Sequence, residues 1–352
     1  QQAALDRAIT EQSYSDLPTR FVWAEWRHVV DGWGITDIEA YATVPRIGRR
    51  SRLGTKQREI LWPVFEAARD ILKARGMMTL SQLYADVAAH CAGSANKPYT
   101  HVIVDEAQDL GVNELRMMAS LVSSPGAPFF AGDLGQRIFQ QPFSWKSLGV
   151  DVSGRSSRLR INYRTSRQIR EAADKLLPTK VTDVDGIEDY RADAQSVFDG
   201  PSTEVTKCND ETSEAEAVAS FLREAINAGI APFEIGVFVR SEDYLIRARA
   251  AIGLTGISCR QISDRIEDKP ECIALGTMHF AKGLEFKAVA VMACDNDALP
   301  LQSRIDEATS EDELREVFDT ERHLFYVACT RARDRLHISG VMPTSEFVED
   351  II

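Results

Sequence analysis

The sequence predicts an α/β protein built on parallel sheets, and three observations point there. Short unbroken apolar runs, such as Tyr99–Asp105, Ala127–Ala131 and Ile273–Thr277, are of the kind buried on both faces of a parallel sheet. From Glu214 onward such runs alternate with helical stretches, the rhythm of βαβ units. Acidic residues follow directly on the first two runs, and ligands of open parallel sheets sit outside the carboxyl ends of the strands. A length of 352 residues exceeds one compact core and implies two domains.

Residues 1–98 read as mostly helical. The clearest helix is Gln57–Arg75, where Ile60, Leu61, Val64, Phe65, Ala68, Ile71 and Leu72 share one face. Before it, Arg46–Arg58 is the one dense basic stretch, either a solvated loop or a phosphate-contacting one. The strand Tyr99–Asp105 is followed by a helix near Asn113–Ser123 and the strand Ala127–Ala131. Ser157–Tyr163 reads as a strand running into a helix at Ser166–Leu177, with Thr165 or Ser166 as N-cap. Asp183–Pro201, rich in Asp and Gly, is the best surface-loop or linker segment. Glu214–Asn227 is an amphipathic helix stopped by Gly229. Then come strand Ile235–Arg240, helix Glu242–Ile252, strands Ile273–Thr277 and Lys287–Ala293, helix Asp312–Arg331 and strand Arg335–Ser339.

Composition narrows the class. Acidic residues number 53 against 41 basic, a net charge of −12, which excludes a chain-wide basic nucleic-acid binder but leaves room for a local basic groove, with Arg46–Arg58 and Arg240 as contributors. No apolar run reaches the ~20 residues that span a bilayer, so no membrane partner is expected. QQAALDRAIT shows no basic-then-apolar signal-peptide pattern, and the six cysteines form no C-x-x-C pair, which fits a reducing cytosol and a cytoplasmic location.

The chemistry gathers at strand ends. His101–Asp109 places Asp105 and Glu106 side by side after an apolar strand, one suited to Mg²⁺ and the other to polarising an attacking water. Phe129–Gln136 ends a second strand in Gly132-Asp133-x-x-Gln136, where a neutral amide can sense a γ-phosphate without adding charge. Phe139, Phe143 and Trp145 follow, and either pack a core or stack on the bases of a single strand. Arg164, in Asn162-Tyr163-Arg164, and Arg331, in Phe325–Arg333, are arginine-finger candidates, with surface salt bridges as the plainer alternative. In Thr277–Phe286, Thr277 and His279 offer uncharged hydrogen bonds to a sugar-phosphate backbone, Gly283 allows close backbone approach, and Glu285 can hold a ribose hydroxyl.

The ordered strings VDEAQD, GDLGQ, NYR, TMHFAKGLEF and YVACTRAR resemble motifs II to VI of superfamily 1 helicases of the UvrD/Rep/PcrA type, over roughly residues 99–340. The resemblance implies two RecA-like parallel-sheet domains with ATP in the cleft between them, and a motor moving 3′ to 5′ on single-stranded or partly duplex DNA. It implies that Asp105 binds Mg²⁺, Glu106 activates water, Gln136 couples the γ-phosphate to DNA and Tyr163 stacks on adenine. Arg164 and Arg331 become the fingers, while Asp133, Gly283 and Glu285 contact the nucleotide. Thr277 and His279 face DNA, with Phe139 and Trp145 as stacking candidates. On this reading residues 1–98 are a helical subdomain, 99–156 the later part of a first RecA-like domain and 157–352 the second.

The chain departs from the family in two places. It contains no G-x-x-x-x-G-K-[ST], so the triphosphate lacks its backbone cradle, its Lys and a Mg²⁺-binding hydroxyl. The expectation is therefore an incomplete first domain, inactive alone, whose P-loop segment comes from the same parent chain or a separate fragment. Only about twenty residues separate the Glu242–Ile252 helix from Ile273, too few for the large domain that relatives insert there. An alternative of another class is an ATPase-dead scaffold that binds nucleic acid or protein. A carboxylate-Lys nuclease constellation is not seen, and RNA stays open as substrate, since backbone contacts discriminate weakly.

Overall fold

In the computed structural model the chain divides into two units, Gln1–Ser156 with Thr182–Ile187, and Ser157–Val181 with Glu188–Ile352. The structure describes residues 1–12, 17–44, 46, 53–123, 128–133, 145, 155–182, 188–190, 194–263, 270–308 and 310–352, with 180–182 and 188–190 described by backbone alone.

The first unit opens with helices α1 (Gln2–Glu11), α2 (Thr19–Glu25), α3 (Ile38–Thr43), α4 (Thr55–Ala74) and α5 (Leu80–Gly93). A π-helical turn, Trp26–Val30, continues α2. The apolar stripe of α4 buries Leu61, Val64, Phe65, Ala68 and Leu72 against Trp26 and Tyr41. Each of the leucine, valine and phenylalanine side chains contributes about 1.5–3 kcal/mol by leaving water. The Arg69 guanidinium lies over both Trp26 and Trp62, 5.5 and 5.4 Å from the ring centroids. Two arginines of the basic stretch are spent internally. Arg46 is bidentate on the buried Glu25 carboxylate, and Arg58 donates to the carbonyls of Tyr41, Ala42 and Val44. Arg49, Arg50 and Arg52 lie outside the described residues.

A smaller core follows. Strand β1 (Val102–Val104) pairs in parallel with β2 (Pro128–Phe130), and α6 (Val112–Ser120) covers one face through Leu115 and Val112. On the other face the register partners Ile103 and Phe129 are 78% and 61% exposed. Helix α5 buries none of its side chains, although Leu80 and Leu83 lie on it.

The second unit carries a six-stranded, wholly parallel sheet. In chain order its further elements are β3 (Ile161–Asn162), α7 (Arg167–Asp174), β4 (Lys180–Thr182), β5 (Glu188–Tyr190), β6 (Gln195–Ser196), β7 (Glu204–Cys208), α8 (Glu211–Asn227), β8 (Ile235–Val239), α9 (Leu245–Gly253), β9 (Cys259–Gln261), β10 (Ile273–Thr277), β11 (Phe286–Val291), α10 (Gln302–Glu307), α11 (Glu311–Cys329), β12 (Ala332–Val341) and α12 (Glu346–Ile351). The strand order is β7-β12-β11-β8-β10-β9. Strands β8 and β10 are buried at every position, as their unbroken apolar runs predict. Helices α8 and α9 pack one face through Val218, Phe221, Leu222, Ala248 and Ile252. Strand β9 joins this sheet at its edge beside β10.

Two local expectations shift. The strand expected at Ser157–Tyr163 shrinks to Ile161–Asn162, because Ser157–Arg160 is exposed and makes no ladder. The loop expected over Asp183–Pro201 includes two short strands, and β6 pairs with β3. Ser166 does precede α7, but its buried Oγ caps nothing and has no hydrogen-bond partner. Among the described residues no helix is long and apolar enough to cross a membrane.

Candidate functional site

In the first unit the acidic pair follows β1 directly. Asp105 is exposed, and its Oδ1 accepts from the Glu106 amide at 2.9 Å. Glu106 adopts the left-handed conformation with φ of 52°, uncommon for a residue with a side chain. Such an outlier costs on the order of 1–2 kcal/mol and persists only where its surroundings hold it. The holder is Gln108, a residue sequence reasoning did not single out. Its buried amide donates Nε2 to Glu106 Oε2 at 2.5 Å, and its Oε1 accepts from the Asp133 backbone amide at 3.0 Å. Gln108 thus locks the end of β1 to the end of β2, beside the Ala107 amide to Ala131 carbonyl bond of 2.8 Å. Gly132 makes this possible, since a Cβ there would lie 2.3 Å from Gln108 Oε1. The only sequence signal for this role is the amide two residues past Glu106.

These groups suit a magnesium–triphosphate more than a protein-only metal cage. Mg²⁺ favours hard oxygens, with one or two carboxylates and the remaining positions left to phosphate and water. Asp105, Glu106 and Asp133 supply such oxygens at neighbouring strand ends, and among the described residues no group of three or more metal-ligating side chains gathers. Gln136 and Phe139 lie outside the described residues. Trp145 packs against Phe130, with ring centroids 5.0 Å apart, within the small core of this unit. Of the two alternatives open for that ring, this contact is the core-packing one.

In the second unit, Asn162 Oδ1 accepts from the amides of Arg164 and Thr165 at 2.8 and 3.1 Å. This turn leaves Tyr163 71% exposed, its ring open to a planar partner. Arg164 is half-exposed and pairs with Glu285 at 3.0 Å, so two residues far apart in sequence meet. Gly283 sits between β10 and β11 with φ of 77° in open space, so the backbone conformation, and not crowding, demands glycine there.

Arg331 is placed differently from what a projecting finger requires. It is 1% exposed and turned inward, donating Nε to the Val327 carbonyl at 3.0 Å and Nη1 to the Leu284 carbonyl at 3.3 Å. Its backbone carbonyl accepts from the Phe286 amide at 2.9 Å. Arg331 therefore ties the end of α11 to the Gly283–Glu285 turn.

Thr277 ends β10 and is buried, and His279 lies in the short turn Met278–Ala281 that follows. Burial, reinforced by Arg240, lowers the His279 pKa and keeps the imidazole neutral near pH 7. Arg240, expected to line an open basic groove, is buried instead. Its guanidinium forks onto Glu321 with bonds of 2.5 and 2.6 Å, because a cation at a buried strand end needs a counter-charge.

Comparison with known proteins shows what parts of the chain are similar to. Residues 254–342 match the UvrD-like helicase C-terminal domain family. ATP-dependent DNA helicase UvrD1 of Mycobacterium leprae is 35% identical over 112 residues, which cover 32% of this chain and 14% of that protein. ATP-dependent DNA helicase UvrD2 of Mycobacterium bovis is 22% identical over 413 aligned positions, covering 87% of this chain and 58% of that protein. The chain thus spans less than two thirds of the length of these relatives. Among solved structures, the C-terminal domain of a possible DNA helicase from Lactobacillus plantarum WCFS1 aligns with 54% of this chain and 94% of its own, at a TM-score of 0.38 and 18% identity.

Proposed function

We infer that this chain, whose residues 254–342 match the UvrD-like helicase C-terminal domain family, is the motor portion of an ATP-dependent DNA helicase or translocase of 3′ to 5′ polarity. The observation that carries the reading is the strained Glu106 held by Gln108 at the end of a parallel strand. A carboxylate fixed in a costly conformation beside a second carboxylate is suited to take a proton from an attacking water, an effect of about 10²–10⁴ in rate. Asp105 would hold Mg²⁺, which supplies charge neutralisation on the triphosphate when bound. Tyr163 would stack on adenine, Arg164 would meet the γ-phosphate, and Glu285, released from Arg164, would take a ribose hydroxyl. Gly283 and Asp133 would lie against the nucleotide, and Gln136 would read its γ-phosphate. Thr277 and His279 would hydrogen-bond a DNA backbone, with Phe139 as the base-stacking candidate.

The 352 residues contain no P-loop sequence, and we propose that the phosphate cradle comes from a further segment, in the same parent chain or as a separate fragment. A scaffold without hydrolysis is the second reading, favoured by Arg331, whose guanidinium is committed to carbonyls. The test is ATP hydrolysis with and without single-stranded DNA, by the chain alone, with a P-loop segment added, and with Glu106→Gln. DNA-stimulated turnover that needs the added segment and is lost in Glu106→Gln is the expected result. Turnover by the chain alone would overturn the supplied cradle, and silence in every combination would favour the scaffold.

A further inference from the structure

Glu321, on α11, is a fully buried carboxylate that serves two guanidiniums. Arg240, at the end of β8, takes both oxygens, and Arg304, on α10, donates Nη1 to Oε1 at 2.9 Å. The Leu301 amide adds a fourth bond to Oε2 at 3.3 Å. Burial opposes ionisation of Glu321, but the hydrogen bonds and charges of Arg240 and Arg304 outweigh it and hold the pKa below the ordinary value. The cluster therefore holds two positive charges and one negative, a surplus of one cation. Arg240 is buried, so the surplus is presented by Arg304, whose side chain is 37% exposed.

That surplus is next to His279. β8 and β10 end side by side, with Thr277 paired to Val239, and burial, then the charges of Arg240 and Arg304, lower the His279 pKa while Glu321 raises it. An ion pair of this kind is weak evidence for stability, since an apolar replacement of equal shape is often as stable, whereas its best-attested use is to fix a register. Here it fixes the Arg304 guanidinium on the carboxylate that also holds Arg240, the residue after Val239, whose register partner Thr277 opens the turn that carries His279. Hydrogen bonds without charge beside one held cation are a match for a backbone phosphodiester, which carries one negative charge.

We propose that Arg304 is a phosphate contact of the bound nucleic acid, next to His279, and that Glu321 is the positioning residue that holds it there. This rests on the nucleic-acid reading of the Thr277–His279 turn.

The test is the binding of a fluorescent oligothymidylate to the whole chain, by anisotropy, across a series of salt concentrations. Arg304→Ala should weaken binding several-fold and flatten the slope of log affinity against log salt by about 0.7, the increment for one single-strand phosphate. Arg304→Lys should keep the slope, since it keeps the charge. Glu321→Gln separates position from charge. Removing a negative group tightens binding if only net charge matters, and loosens it if Arg304 is set adrift. Oligothymidylate binding unchanged in Arg304→Ala would overturn the proposal and leave the helicase reading standing. Tighter binding in Glu321→Gln would overturn the positioning role, and absence of binding by the unaltered chain would overturn both the reading and the proposal. Arg304 is surface-accessible, so its two variants keep the test decisive even if Glu321→Gln fails to fold.

Discussion

Glu106 shows how far single residues could be read in advance. Its role beside Asp105 was legible only with the motifs that follow it, because an apolar run ending in two carboxylates is by itself an ordinary solvated strand end. The clamp was not, because Gln108 works by reaching across to a neighbouring strand, a relation no local pattern encodes. The clamp makes Gly132 a sensitive position. Gly132→Ala puts a methyl 2.3 Å from Gln108 Oε1 and must expel that amide, leaving buried polar groups unpaired. The expected loss is about 1–3 kcal/mol, read as a lower denaturant midpoint, together with loss of the ATP hydrolysis proposed above. Arg240 and Arg331 were misjudged in accessibility for a related reason, since charge and strand-end position were visible but the buried carboxylate and carbonyls that absorb them were not.

Among elements, the strands of the second unit were legible because they are buried on both faces and so carry unbroken apolar runs. Two-residue ladders such as β3 with β6 escape prediction, since their pairing depends on neighbours and not on their own composition. The ends of α8 and α9 are joined by an ionic network that sequence patterning also conceals. Glu214 of α8 is buried with the Arg247 guanidinium on its Oε2, while its Oε1 accepts from the Ala293 amide and Ser339 Oγ, each at 2.9 Å. Arg247 extends the network to Asp295 at 2.6 Å. Burial raises the Glu214 pKa, and the arginine works against that shift. Glu214→Ala leaves the Ala293 amide and Ser339 Oγ buried without their acceptor, while Arg247 keeps Asp295, so it should cost about 1–3 kcal/mol by chemical denaturation. Glu211→Ala removes an exposed partner of the same arginine, 3.8 Å away, and should change stability by less than about 1 kcal/mol.

For the whole molecule, the largest acid sensitivity below pH 6.5 comes from a buried imidazole, that of His337. His337 on β12 stacks on Phe221 at 5.1 Å and bonds Thr206 Oγ1 at 3.0 Å, and burial pulls its pKa from 6.5 down to about 4. The unfolded chain therefore binds the proton more readily than the folded one between those values. Stability should be full above about pH 6.5 and fall by about 3 kcal/mol as the pH drops toward 4. His337→Gln should flatten that fall in denaturant midpoints measured from pH 6.5 to 4.5, and an unchanged slope would discount this histidine as its source.

The aromatic core of the helices has an optical corollary. All five tryptophans, Trp23, Trp26, Trp33, Trp62 and Trp145, belong to the first unit. Ultraviolet emission excited at the indole band is therefore a built-in dye for that unit alone. Circular dichroism weighs both units, so a melt followed by the two signals together separates their unfolding without any label.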